Sequence, residues 1–468
     1  MVSLNKSEYK LAPSILREYD IRGLVGQTLT ENDAFVIGRA MATILNKKYK
    51  ITAPKIVVAY DGRHSSPLFS SFLCEGLCVS GCEVIEIGCG PTPLLYFTVE
   101  YLASNAGIMI TGSHNPPEFN GFKFVVDGKP FYGPSIKELG VIVERQDFLE
   151  GKGSIVKKDL SGAYIESLLN LCGSLLPNKV VWDPGHGATA EIIKTLIDRL
   201  PGQHILVNGS IDGAFPSHHP DPTIPENLNE IISIVKQKNY DLGFAFDGDG
   251  DRIGVIDELG RIIWGDQLLA LLARDVLVDY PGGSIIADVK SSQVVFEEIS
   301  RLGGMPIIWK TGHSCIKDKM LELSAPLAGE MSGHIFFNDH WFGFDDAIYT
   351  ALRLLAMLKN SNSSLSQLYD SLPKLVNTPE IRFDCPDDQK FTVVSEVARN
   401  LEKNGADVLS IDGVRVTKDG GWWLLRASNT QPVLVARCEA KDIQTLREIK
   451  SELLYYLSKS KVTLPDLI

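Results

Sequence analysis

Three short apolar runs along the chain each end in an aspartate, pass through small and polar residues, and then give way to a helical pattern. They are Lys55-Ile-Val-Val-Ala-Tyr-Asp61-Gly-Arg-His-Ser-Ser, Lys179-Val-Val-Trp-Asp183-Pro-Gly-His-Gly-Ala-Thr and Ser284-Ile-Ile-Ala-Asp288-Val-Lys-Ser-Ser. Continuous β-branched runs of this length predict buried strands of a sheet with parallel strands, each feeding a loop and a helix. Asp61, Asp183 and Asp288 stand 122 and 105 positions apart, a domain-sized spacing, so three α/β units of similar plan are predicted. The pattern then changes. Pro373, Pro379 and Pro386 punctuate a linker-like stretch, and a helical pattern follows from Val393 to Lys403. Short alternating runs parted by Asp412-Gly413 and Asp419-Gly420 carry hairpin signals, and a last helix is predicted near Ile443 to Leu457. The expected fold class is α/β: three similar α/β domains with mixed, largely parallel sheets, plus a C-terminal α+β domain with an antiparallel sheet. The expected boundaries are 1–159, 160–261, 262–373 and 374–468.

Composition narrows the function. The 468 residues are 44% hydrophobic and 22% charged, the globular average, which excludes disorder, collagen and coiled coil. With 58 acidic side chains against 46 Lys and Arg, the formal net charge is −12. No surplus of cations exists to neutralise phosphates, so neither a nucleic-acid nor an anionic-membrane partner is expected. An anionic substrate needs cations gathered locally. The N-terminal stretch has no apolar core of a secretory signal, and no run of about 18 apolar residues occurs. The eight cysteines form no CxxC; Cys74, Cys78 and Cys82 recur every fourth residue, as small apolar residues on one helix face would. A soluble, cytoplasmic monomer is expected.

The sharpest local chemistry is Phe244-Ala-Phe-Asp247-Gly-Asp249-Gly-Asp251-Arg252-Ile-Gly-Val-Ile. Two like charges 4 Å apart repel by about 4 kcal/mol at an effective dielectric of about 20, so three carboxylates on one loop invite a cation. All-oxygen ligands without nearby Cys or His favour a hard ion, Mg²⁺ or Ca²⁺. An EF-hand is the rival, with Glu258 at its twelfth position. Its sixth position is Arg252 where the turn needs Gly, and the flanks read as strands. A second feature is Ala106-Gly-Ile-Met-Ile-Thr111-Gly112-Ser113-His114-Asn115-Pro116, followed by Gly121-Phe122-Lys123. No GxSxG occurs, and adjacent Ser and His side chains do not easily face each other, so a hydrolase triad is not expected. An ordinary Asx/Pro turn is the plain alternative. Third is Gly329-Glu330-Met331-Ser332-Gly333-His334, whose carboxylate, hydroxyl and imidazole suit sugar hydroxyls as well as a polar surface turn. Fourth is Arg426-Ala-Ser428-Asn429-Thr430-Gln-Pro432 at a hairpin end, where a guanidinium fork, hydroxyls and turn N–H groups can cradle a phosphate. Gly185-His-Gly187-Ala-Thr-Ala190 fits GxGxxA, but the next strand ends in Asn208 rather than an acid, which disfavours a dinucleotide site. No GxxxxGK[ST] is present, so P-loop chemistry is excluded. Trp422 and Trp423 alternate on a strand, so they face opposite sides of it.

In this order the four loops, with Glu18-Tyr19-Asp20-Ile21-Arg22-Gly23 near the start, resemble the α-D-phosphohexomutase superfamily along essentially the whole chain, in its phosphomannomutase/phosphoglucomutase branch. The resemblance implies that Ser113 is carried as phosphoserine and that one Mg²⁺ per chain is held by Ser113, Asp247, Asp249 and Asp251. It implies a reaction in which hexose 1-phosphate and hexose 6-phosphate, of mannose or glucose, interconvert through a bound hexose 1,6-bisphosphate. Glu330 and Ser332 are implied to hold the sugar, and Arg426, Ser428, Asn429 and Thr430 the phosphate. Catalytic candidates beside Ser113 are His114, Lys123, Arg252, Arg22, His313 and His334. Tyr19, Lys290 and Lys310 are candidates for substrate contact. Four domains giving one loop each imply a central cleft. Phosphoglucosamine mutase is the nearest rival, disfavoured by Met331 and by Ser428-Asn429-Thr430. A non-catalytic cation-binding protein would leave Ser113 idle, and a nicotinamide-dependent dehydrogenase would need the Gly185 loop.

Overall fold

The computed structural model describes residues 9–173, 175–429, 431–460 and 462. The chain forms two compact units, residues 1–268 with 332–367 and residues 269–331 with 368–468. In the first unit, one sheet runs in the order Ile21–Leu24, Phe119–Val126, Ala106–Ile110, Lys55–Tyr60, Glu83–Cys89, Ser154–Lys157, with Lys129–Pro130 alongside Phe119–Val126. Lys55–Tyr60 is parallel to both Glu83–Cys89 and Ala106–Ile110, joined by crossover helices Ser66–Cys78 and Thr92–Tyr101. Ala106–Ile110 then pairs antiparallel with Phe119–Val126, so residues 111–118 turn the chain back at the strand's end. A cluster of buried residues that includes Ile37, Met41, Leu73, Ile108 and Phe122 forms the core beneath this sheet.

The second sheet of this unit runs Ile262–Ile263, Ile253–Asp257, Leu242–Phe246, Asn178–Asp183, Gly202–Leu206. Leu242–Phe246 is parallel to Asn178–Asp183 and antiparallel to Ile253–Asp257, which makes 247–252 the tip of a hairpin. The sheet continues to Ile263. Residues 332–367 also belong to this unit. Aromatic packing accounts for that: Trp341 stacks on Phe97 with ring centroids 5.9 Å apart and on Tyr349 at 4.7 Å.

In the second unit, Ser284–Asp288 is parallel to Met305–Trp309 and to Leu327–Gly329. The last sheet runs Val376–Asn377, Val433–Ala440, Gly421–Ala427, Val414–Lys418, Val408–Leu409, and its strands pair antiparallel. Asp419-Gly420 is the two-residue turn of its hairpin, with Gly420 at φ +82°, a conformation that favours glycine. Trp423 packs in the core with Val397, Leu401 and Leu453 from helices Lys390–Lys403 and Ile443–Ser458. Trp422 points the other way, beneath Arg415, whose guanidinium carbon lies 3.7 Å from the ring centroid. The three α/β sheets and the antiparallel C-terminal sheet agree with the pattern of apolar runs.

One expectation changes: helix Ser66–Cys78 ends at Cys78, so Cys82 lies in the turn beyond it rather than on the helix face. Cys74 and Cys82 are buried and form no disulfide. Among the described residues no helix is long and apolar enough to cross a membrane.

Candidate active site

The strand Ala106–Ile110 is fully buried and delivers Thr111, Gly112 and Ser113 to its end. Ser113 sits at φ +47°, a left-handed conformation that costs a residue with a Cβ about 1–2 kcal/mol. Its N–H donates to Thr111 Oγ1 at 2.7 Å. Ser113 Oγ lies 3.0 Å from Asp247 Oδ2 and 3.2 Å from His114 Nδ1. The expectation that adjacent Ser and His do not face each other is therefore corrected, because the left-handed turn at Ser113 redirects the chain between the two side chains. Burial, together with the Arg252 and Arg22 guanidinium groups, holds the His114 imidazole well below its usual pKa, so the ring is neutral at pH 7.

The hairpin tip brings Asp247, Asp249 and Asp251 into one buried group whose ligand oxygens lie within 4.8 Å of one another. Gly248 is required here: a Cβ would stand 2.5 Å from the Ser113 carbonyl oxygen, where the serine loop crosses the hairpin. Asp247 Oδ1 accepts from the N–H of Asp251 and of Arg252, folding the loop on itself. Asp249 Oδ2 accepts from Thr92 Oγ1 at 2.5 Å and from Lys123 Nζ at 2.7 Å, and Lys123 also pairs with Asp251.

The remaining oxygens, Oδ1 of Asp249 and of Asp251, are buried and carry no hydrogen bond among the described residues. Burial and the neighbouring Asp251 and Asp249 push the Asp247 carboxyl well above the usual range. Burial also works against the Lys123 ammonium, but Asp249 and Asp251 outweigh it and raise the lysine well above its ordinary value. Two orphaned carboxylate oxygens and an acid driven toward protonation mark a cluster short of positive charge. The donor set is all oxygen and suits a hard divalent ion.

Around this cluster stand the other expected residues of the first unit. Arg252 Nε donates to His334 Nε2 at 2.9 Å, and His334 Nδ1 is 3.0 Å from Asp345 Oδ2. Arg22 Nη1 donates to the Gly112 carbonyl at 2.7 Å and to Asn115 Oδ1 at 2.5 Å, and the guanidinium pairs with Asp20. Tyr19 is half-buried in the bend before strand Ile21–Leu24, and Ser332 is half-buried.

In the second unit, Glu330 is buried and accepts from the Gly312 N–H at 2.5 Å, which ties it to the loop carrying Lys310 and His313. Lys310 is exposed, and His313 opens helix His313–Leu323 half-buried. Arg426 is buried and pairs with Asp412 at 3.0 Å; Asp412 Oδ2 also accepts from the Thr311 N–H at 3.1 Å. Lys290 is buried and pairs with Glu380 at 3.2 Å. Ser428 Oγ accepts from the Gln431 N–H, and Asn429 is half-buried. Thr430 lies outside the described residues.

Thr92, Asp345, Asp412 and Glu380 join these groups without having been singled out in the sequence. Thr92 stands 157 positions from Asp249, and neither it nor Asp345 carries a local motif; Asp412 reads first as a hairpin turn. Asp61 had a signal, as the acid ending the first apolar run.

Family models match in order along the chain: phosphoglucomutase/phosphomannomutase alpha/beta/alpha domain I at residues 13–150, domain II at 163–260, domain III at 264–376 and the C-terminal domain at 380–454. A phosphomannomutase/phosphoglucomutase of Pseudomonas aeruginosa is 44% identical over 441 residues, covering 94% of this chain and 95% of that protein. A phosphoglucomutase of Neisseria gonorrhoeae is 41% identical, covering 93% of this chain and 95% of the other. A crystal structure of a phosphoglucomutase/phosphomannomutase family protein from Burkholderia thailandensis superposes with a TM-score of 0.91 at 39% identity, over 97% of this chain and 100% of that one. The chain belongs to the phosphoglucomutase/phosphomannomutase family of phosphohexomutases, enzymes of the isomerase class.

Proposed function

We propose that the protein interconverts hexose 1-phosphates and hexose 6-phosphates of mannose or glucose by lending a phosphoryl group from Ser113 and taking another back. The observation that carries this reading is Ser113 Oγ, set on a left-handed turn 3.0 Å from Asp247 in a buried cluster of three carboxylates. Each of four domains, 1–159, 160–261, 262–373 and 374–468, contributes one loop. Asp247, Asp249 and Asp251, with the phosphate on Ser113, would hold one Mg²⁺. Bound there, the ion supplies positive charge to a phosphoserine that adds about −1.5 to −2 charge beside the carboxylates.

In the first transfer, the oxygen of a free sugar hydroxyl bonds to phosphorus as the bond from Ser113 Oγ to phosphorus breaks, and the hydroxyl proton leaves for a neighbouring base. Lys123, held charged by Asp249 and Asp251, offsets part of the negative charge of the carboxylate cluster that faces Ser113. The sugar, now a hexose 1,6-bisphosphate, turns end for end. In the second transfer, Ser113 Oγ attacks the opposite phosphate and gives up its proton; the neutral His114 ring faces it at 3.2 Å and can accept.

Arg426, Ser428, Asn429 and Thr430 hold whichever phosphate is not reacting. Glu330 and Ser332 hold the 3- and 4-hydroxyls, which exchange places when the sugar turns over, so C2 goes unread and both sugar configurations fit. Lys290, Lys310 and His313 orient the substrate, Arg252 and His334 support the metal loop, and Tyr19 and Arg22 shape the phosphoserine end.

The test compares turnover of glucose 1-phosphate, mannose 1-phosphate and glucosamine 1-phosphate with Mg²⁺ and added hexose 1,6-bisphosphate. Turnover of the first two, weak turnover of the amino sugar and loss of all three in Ser113→Ala are expected. Preference for the amino sugar would move the protein to the phosphoglucosamine mutases, and no turnover of any of them would refute the reading.

A further inference from the structure

Beneath the serine loop lies Arg63, a guanidinium only 1% exposed, with all five of its N–H donors committed. Nη2 donates to the Ser113 carbonyl at 2.7 Å and the Asn115 carbonyl at 2.6 Å. Nη1 donates to the Pro116 carbonyl at 2.5 Å and the Phe119 carbonyl at 3.0 Å, and Nε to Asp61 Oδ2 at 3.0 Å. Asp61 takes the opposite polarity from the same loop. Its Oδ2 accepts from Thr111 Oγ1 at 2.8 Å and the Gly112 N–H at 3.1 Å, and its Oδ1 from Ser66 Oγ at 2.6 Å. The carboxylate thus gathers the donors at the start of the loop and the guanidinium gathers the acceptors that follow. The loop 208–221 closes over the arginine from the other side: the Phe215 ring centroid is 5.3 Å from Cζ, and a Cβ on Gly213 would stand 2.8 Å from Arg63 Cα.

We infer that Asp61 and Arg63 are a positioning pair for the phosphoryl-transfer step, holding the backbone of Ser113 in its left-handed turn so that Oγ stays at the acidic cluster. The inference rests on the proposed role of Ser113 as the phosphate carrier. A left-handed serine persists only where its surroundings over-determine it, and these bonds do so: Ser113 O is held by Arg63, its N–H by Thr111 Oγ1, and Thr111 Oγ1 by Asp61. A planar fork is needed because a lysine ammonium has three donors and cannot meet four carbonyls and a carboxylate together. Neither side chain reaches a metal-binding oxygen or a reacting atom in these contacts, so the pair acts on the rate of transfer and not on sugar binding.

The experiment follows uptake of a phosphoryl group by dephosphorylated protein from glucose 1,6-bisphosphate, by rapid quench and intact mass, in wild type, Arg63→Lys and Thr111→Val. Circular dichroism and KM for glucose 1-phosphate are measured alongside. Arg63→Lys is expected to slow uptake about 100-fold, as a displacement of about 1 Å at the reacting oxygen would. Thr111→Val, nearly isosteric, is expected to slow it about tenfold. KM should stay within about twofold of wild type in both, a split that a merely structural role would not produce. A folded variant that takes up phosphate at the wild-type rate overturns the inference, as does a rise in KM with uptake unchanged. Should Arg63→Lys fail to fold, Thr111→Val decides alone. A wild type that accepts no phosphate on Ser113 overturns instead the reading on which the pair depends, and the two failures are told apart by the wild-type trace.

Discussion

Lys123 occupies an unusual position for a lysine, 4% exposed and pressed between Asp249 and Asp251. Removing one partner of such a buried pair leaves uncompensated charge and costs about 3–5 kcal/mol. Lys123→Met is therefore expected to lower the melting temperature more in a chelator than in Mg²⁺, because a bound divalent ion would replace part of the lost charge. Equal losses in both buffers would contradict the metal assignment. Turnover of the same variant is expected to fall by about 100-fold or more, on the scale of removing one electrostatic stabiliser from an active site. The three aspartates and Ser113 were legible in the sequence because their chemistry is written in consecutive residues. Asp345, Asp412 and Glu380 were not, because no motif marks them: Asp345 folds back on His334, Asp412 meets Arg426 across one hairpin, and Glu380 reaches Lys290 from 90 positions away.

At the level of elements, the repeated aspartate at strand ends has one physical explanation. Asp61 accepts from the Arg63 N–H, Asp183 from the Gly185 N–H at 2.9 Å and Asp288 from Ser291 Oγ at 2.7 Å. Each side chain bends the chain just after its strand, as short acidic side chains do in turns. The pattern could be read because it is local. The cap of helix Ala347–Ser361 could not, since its character comes from burial: Asp346 accepts from the Tyr349 N–H at 2.9 Å, and Tyr164 Oη lies 2.9 and 2.8 Å from its two oxygens. Burial pushes this carboxyl up to about 7 from 3.8. The folded state then holds a proton that the unfolded chain releases, so this group's contribution is full below pH 3.8 and is lost as pH rises through about 7. Asp346→Asn keeps a capping oxygen and removes the ionisation. Its stability relative to wild type is expected to improve between pH 4 and 7 by a few kcal/mol, since a proton held by only one of the two states changes the balance by about 1.4 kcal/mol for each step in pH of one. Parallel pH profiles by chemical denaturation would contradict this.

For the whole molecule, periodicity gave the architecture. The apolar runs, Asp419-Gly420 and the last helix led to three α/β sheets and an antiparallel C-terminal sheet. Residues 332–367 fold with the first unit, where Trp341 packs against Phe97 and Tyr164 and Asp346 accepts from Tyr164, contacts with no local sequence signature. The net charge of −12 likewise conceals a local reversal: Arg22 and Arg63 bond the serine loop directly, while Lys123 sits on the metal loop and Arg252 within it.

The most direct measurement is peptide mapping by mass spectrometry of wild type incubated with glucose 1,6-bisphosphate and Mg²⁺. With protein dephosphorylated beforehand, gain of one phosphoryl group is expected, on the peptide that contains Ser113, and none in Ser113→Ala or in wild type incubated in chelator. Phosphate on another residue, or uptake unaffected by removal of the metal, would contradict the central claim that Ser113 and the three aspartates work as one phosphoryl-transfer site.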